Sequence, residues 1–228
     1  MIVTDRLVFL HLHKSGGTFV NDFLLRFFPD ARQIGYHLPR AYLPESARGL
    51  PIFGLVRNPW DYYVSWYSFQ VEKAQPNPFF RVASEERRLD FSGTVRNLVN
   101  LSSNREHFSA IEAALPDRFV NRGINLTREC FSSLYGSGLG FYAFLYRRMF
   151  GAGEGVTFGR MESLRTDLLA FLDFVGITPS EAMRDFILQA APVNTSRHAA
   201  YQDYYDEPLR QLIAERDREV IARFNYEF

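Results

Sequence analysis

The sequence predicts an α/β fold in three layers, a parallel sheet flanked by helices. Three observations carry this prediction. Two short apolar runs, "LVFL" from Leu7 and "PIFGLV" at 51–56, lack a polar alternation and read as buried parallel strands. Each leads through a polar turn into a segment with apolar side chains at helical spacing. A third pair of the same kind, "GVTFGRM" followed by "ESLRTDLLAFLDFVGI", lies in the second half of the chain.

The first strand is read over residues 7–13 and the first helix over 18–28, where Pro29 stops it. A proline-rich loop, "QIGYHLPRAYLPES", leads to the second strand. In "RNPWDYYVSWYSFQV", Asn58 is a good N-cap and Pro59 a good first helical residue. Residues 73–138 are richer in Asn, Ser, Arg and Pro, with helical patches at 92–101 and 108–115. "GLGFYAFLYRRMFG" reads as an aromatic helix between glycines. After the third strand, one helix ends at Gly176 and another starts near Pro179. The tail, "EPLRQLIAERDREVIARFNYEF", reads as one long charged helix. A chain of 228 residues suits one α/β domain over 1–228, with an insertion around 70–150 over one face of the sheet.

Lys+Arg and Asp+Glu both number 26, so no global basic field points to nucleic acid. Any anion site must be built locally. The aromatic fraction is 16%, with 22 Phe, which fits a Phe-rich core or an aromatic-lined groove for a sugar ring or apolar acceptor. Cys130 is the one cysteine and reads as a small core residue, which excludes an intrachain disulfide framework and a Cys-cluster metal site. No run approaches the roughly 18 apolar residues of a membrane span. The N-terminus is too short and too charged for a secretory signal, so a cytoplasmic location is expected.

The turn "HLHKSGGTF", His11 to Phe19, carries the chemistry. A glycine-rich turn between strand and helix exposes backbone N–H groups, and the helix N-terminus adds a positive partial charge. Gly16 and Gly17 let the backbone approach an anion closely. Ser15 and Thr18 add hydroxyls and Lys14 a point charge. In P-loop NTPases the lysine follows the last glycine, whereas Lys14 precedes both here. The site is P-loop-like, but a magnesium-bound triphosphate is not its natural ligand. Arg57 closes the second strand, at the sheet edge where ligands bind in open α/β folds, and Ser65 lies on the helix that follows. An arginine with a hydroxyl donor makes a second anion site, so the expected ligand has two separated phosphate-like groups.

"HLHKSGGTF" with "VRNPWDYYVSWY" resembles the two nucleotide motifs of the PAPS-dependent sulfotransferase superfamily, in particular bacterial and glycan-type members. Those motifs are a 5′-phosphosulfate loop of the H-x-P-K-T-G-G-T type and a 3′-phosphate motif of the R-x-P-x5-S type. Both stand here in order and at the expected separation; the resemblance is weak over 70–138. It implies 3′-phosphoadenosine 5′-phosphosulfate (PAPS) as donor, 3′-phosphoadenosine 5′-phosphate (PAP) as product, and no metal. Lys14 would contact the bridging oxygen, and Ser15, Gly16, Gly17 and Thr18 would cradle the 5′-phosphate. Arg57 and Ser65 would hold the 3′-phosphate. Phe19 stands where some members stack an aromatic on adenine, or belongs to the core. Arg197 stands where a basic loop reaches the 3′-phosphate, or is a solvated arginine.

His13 replaces the usual proline before the lysine and is either a base or a packed strand residue. His11 shares its face by strand alternation. His37, in "IGYHLP", is the expected general base, with Glu45 and His13 as competitors. The implied reaction is in-line transfer of a sulfuryl group to a hydroxyl acceptor, which could be a glycan, a lipid or a small-molecule alcohol. Tyr142, Tyr146, Arg147 and Arg148 are candidates for the acceptor pocket. The competing readings are a P-loop-type nucleotide kinase and a non-catalytic PAP- or nucleotide-binding protein. The oligomeric state is not encoded legibly.

Overall fold

In chain order the elements are β1 (Ile2–Val3), β2 (Val8–Leu10), α1 (Gly17–Phe27), β3 (Arg32–Gln33), β4 (Ile52–Val56) and α2 (Pro59–Val71). There follow α3 (Pro78–Ala83), α4 (Phe91–Val99), α5 (Arg105–Ala114), α6 (Arg128–Ser132) and α7 (Phe141–Phe150). The chain closes with β5 (Val156–Arg160), α8 (Leu164–Phe174), α9 (Glu181–Gln189), α10 (Glu207–Arg216) and α11 (Arg218–Phe224). The computed structural model describes residues 1–191 and 198–228. These form two compact units, residues 1–57 with 147–191, and residues 58–146 with 198–228.

The first unit holds a five-stranded sheet in the order β3-β1-β2-β4-β5. The three expected strands, β2, β4 and β5, are parallel neighbours, with Phe9 beside Phe53 and Phe53 beside Thr157. β1 and β3 were not expected. β1 runs antiparallel to both β2 and β3, so the parallel core continues into a mixed edge. Two-residue strands carry no periodicity that could announce them.

Side-chain alternation splits the sheet into two faces. Phe53 stacks on Phe171 of α8 at 4.6 Å and contributes, with Phe9 and Leu55, to a core shared with Phe23 of α1, Leu172 and Ile187. Each such side chain stabilises the fold by roughly 1.5–3 kcal/mol. The neighbouring Gly54 faces the other way, and a Cβ there would lie 2.5 Å from the ring of Phe150. Phe150 also meets Phe158 edge-on at 4.9 Å. Helical residues therefore cover both faces, as three layers require.

The second unit is helical, and most of its excess aromatics are core. Tyr62 of α2 stacks on Tyr142 at 4.2 Å, and Phe108 on Phe131 at 4.7 Å. The helical patches read in 73–138 are α4 and α5; α3 and α6 join them. Cys130 is half-buried rather than a core residue.

The tail is not one helix. It breaks at Asp217, between α10 and α11. The reason is tertiary: the fully buried Asp217 carboxylate accepts from the Ala143 N–H at 2.7 Å and from the Tyr63 hydroxyl at 2.8 Å. Tyr63 accepts in turn from the Tyr142 N–H at 3.1 Å. Orphan donors at the start of α7 thus find partners far along the chain. A Cβ on Gly140 would lie 2.5 Å from the carboxylate, so this approach requires glycine there.

Burial pushes the Asp217 carboxyl up to about 7, against the two hydrogen bonds that oppose the shift. From the ordinary value of 3.8 up to about 7 the folded chain holds a proton that the unfolded chain has lost. Folding stability therefore falls as pH rises through that window. Asp217→Asn cannot titrate and retains an acceptor for Ala143. Its stability relative to the parent should rise across the window and level off above it, as read from urea denaturation midpoints. A difference that is constant with pH would mean that Asp217 is ionised in the fold.

Candidate functional site

The turn between β2 and α1 has the form needed to hold an anion. Gly16 is the N-cap of α1, with φ 80°, and no side chain caps the helix. No acidic residue stands in the first turn. The positive end of a helix without a side-chain cap or an acidic first turn suits an anion. Lys14 is also left-handed, with φ 57°, a conformation that costs a non-glycine residue on the order of 1 kcal/mol. Arg57, immediately after β4, offsets that cost by donating from Nη1 to the Lys14 carbonyl at 3.1 Å. The two motifs that the sequence suggested are joined by this bond.

The remaining candidates in the turn differ in how they can serve. Ser15 is fully buried and its hydroxyl donates to the His13 carbonyl at 3.4 Å, so the side chain is engaged within the turn. Gly17 begins α1, directly against the His11 ring, and a Cβ there would lie 2.1 Å from His11 Cδ2. Thr18 is half-buried and hydrogen-bonds the Tyr36 side chain. Phe19 lies in the core, against Phe186 at 5.2 Å and beneath the Arg165 guanidinium at 5.2 Å. At 6% exposed it is part of the core of the first unit, so of its two readings the core role fits.

His37 is 2% exposed and has a left-handed backbone, with φ 47°. Its Nδ1–H donates to the His11 carbonyl at 2.6 Å. Because a carbonyl can only accept, the proton is on Nδ1, and the neutral ring carries its lone pair on Nε2. Burial pushes His37 down to about 4, while the bond to His11 pulls the other way. The ring meets those of His11 at 4.2 Å, Tyr36 at 4.2 Å and His13 at 5.4 Å. His11 receives the Asn21 amide at 3.2 Å and is itself held well below the usual range, first by burial and then by His37. The loop that carries His37 folds inward, and burial keeps the imidazole neutral over the physiological range.

Glu45 lies on an exposed turn paired with Arg48 at 2.8 Å, away from this histidine cluster in chemistry and in burial. Ser65 is buried on α2 in the second unit, 3% exposed. Tyr142 is fully buried by its stacking on Tyr62 and lines no open pocket. Arg197 lies outside the described residues. Among the described residues, no three His, Cys, Asp or Glu side chains are grouped to hold a metal ion. Tyr36 and the supporting role of His11 were not legible beforehand; the adjacency "YH" at 36–37 is the one trace of the first.

No protein-family model matches this sequence, and no curated protein matches it either. Among solved structures, the fold matches the crystal structure of mouse sulfotransferase SULT7A1 complexed with PAP. The match has a TM-score of 0.56 over 98% of this chain and 89% of that chain, at 13% identity. The chain has a sulfotransferase-type fold. At that identity the likeness concerns the backbone, and the side-chain chemistry rests on the residues described above. No helix among the described residues is long and apolar enough to cross a membrane.

The contact at Gly17 is directly testable. Gly17→Ala must displace the buried His11 ring, and overpacking of this kind costs about 1–3 kcal/mol. Thermal denaturation should show that loss, whereas an unchanged midpoint would mean that the ring yields freely.

Proposed function

We propose that this protein is a PAPS-dependent sulfotransferase that moves a sulfuryl group to a hydroxyl acceptor by in-line displacement. The observation that carries the reading is the Arg57–Lys14 bond, which joins two anion-binding motifs on a sulfotransferase-type sheet. The uncapped start of α1, turned by the left-handed Gly16, fits a phosphate group. PAPS supplies the sulfuryl group and leaves as PAP.

The protein's own residues have distinct tasks. Lys14 would place its ammonium at the bridging oxygen, where negative charge develops. The N–H groups from Ser15 to Thr18 would hold the 5′-phosphate, and Arg57 and Ser65 would each contact the 3′-phosphate. His37 accepts the acceptor's proton at Nε2, the nitrogen that its bond to His11 leaves unprotonated. The acceptor class, whether glycan, lipid or small-molecule alcohol, is set by residues beyond this cradle.

PAP should raise the thermal midpoint much more than ATP does, because a ligand selective for the folded state stabilises it by mass action. Arg57→Ala should weaken PAP binding by about 2–3 kcal/mol and adenosine 5′-phosphosulfate binding much less, since only PAP carries a 3′-phosphate. Equal stabilisation by PAP and ATP would favour a nucleotide kinase instead.

The acid limb of activity is the second check. A base must be unprotonated, so kcat/KM should fall as pH drops through the His37 value of about 4. It should stay flat near 6.5, where an unperturbed histidine titrates. An acid limb near 6.5 would move the base role away from the buried His37.

A further inference from the structure

We propose that Asn58 is a positioning residue of the second anion motif, tying the first turn of α2 to the C-terminal segment of the chain. The inference rests on the sulfotransferase reading, which gives Arg57 and Ser65 the 3′-phosphate. Asn58 is the residue between Arg57 and α2, and it is 7% exposed. Its Oδ1 accepts from the Trp60 N–H at 3.0 Å and so caps the helix. Capping uses only half of the amide. The Nδ2 group donates to the Glu227 carbonyl at 2.8 Å and approaches the Tyr201 hydroxyl at 3.4 Å.

The same turn is gripped elsewhere by the same segment. Trp60 Nε1 donates to the Arg210 carbonyl at 3.0 Å, and the Tyr205 hydroxyl donates to the Trp60 carbonyl at 2.7 Å. The Phe228 ring fills an aromatic cage, edge-on to Trp60 at 5.6 Å, Tyr201 at 5.7 Å and Tyr205 at 5.6 Å. The Arg210 guanidinium closes that cage at 5.2 Å from the ring centre. A proline after Asn58 fixes the backbone at the first helical position, so the turn has little freedom to adjust locally. Its placement is therefore set from outside, by residues 201–228, and Asn58 is the side chain through which that placement reaches the residue next to Arg57.

Asn58→Ser keeps a short capping acceptor and cannot hold the Glu227 carbonyl as the amide does. Phe228→Ala empties the cage without touching the motif. Affinities for PAP and for adenosine 5′-monophosphate, which lacks the 3′-phosphate, are measured on parent and variants by calorimetry, beside thermal midpoints. Both variants should lose about tenfold in PAP affinity, the scale of one hydrogen bond, and keep their affinity for the monophosphate. A parallel loss for both ligands with a fall in midpoint would reduce Asn58 to a structural cap and overturn the proposal. So would variants that keep the parent's preference for PAP. A parent with no preference for PAP over the monophosphate would overturn the sulfotransferase reading itself, and this proposal with it.

Discussion

The first unit is organised around a missing side chain. The His11 ring occupies the volume that a Cβ of Gly17 would need, so the first residue of α1 rests directly on the imidazole. That contact sets how deeply the helix start sits at the strand ends. It brings Thr18 within hydrogen-bonding reach of Tyr36, and the His11 carbonyl meets His37. The left-handed Lys14 follows from the same geometry, since the chain must turn sharply to leave β2 and enter a helix so close to it. Arg57 then fastens the turn from the neighbouring strand. The glycine turn and the neutral imidazole are thus two faces of one packing solution.

The helical unit reaches order by a different route. Its helices are short, and several begin with side-chain caps from Asn58, Asn77, Asp90, Asn104 and Thr127. α7 begins instead with backbone donors satisfied by Tyr63 and by Asp217. A fully buried carboxylate in this role is costly to ionise, so the same contact that orders the helix start also makes it sensitive to protons. The C-terminal segment thus fixes the start of α7 through Asp217 and the start of α2 through Glu227.

What could be read from the residues alone follows from how local each signal is. "PIFGLV" and "RNPW" announce β4 and α2 because apolar burial, an Asn cap and a Pro at the first helical turn are local effects. The turn from Lys14 to Thr18 was legible for the same reason, since glycines beside a lysine report on the backbone. β1 and β3 were not, because two residues make no period and both owe their existence to pairing partners. The break at Asp217 was hidden too. Its helical pattern continues through the position, and only the distant Ala143 and Tyr63 explain why the carboxylate turns inward. His37 lay between these cases: its residue type was readable, whereas its burial under Tyr36 and against His11 is a product of tertiary packing.

The bond from His37 to a main-chain carbonyl has one more effect. In enzymes where a histidine leans on a carboxylate, the partner is an anion that stabilises the charged ring and can be removed by mutation. Here the partner is a neutral main-chain amide just past β2, so it orients the ring without supplying that countercharge. It also leaves Nε2 as the ring nitrogen that can take up a proton. A proton taken up at Nε2 has no onward relay through Nδ1 and must depart the way it came.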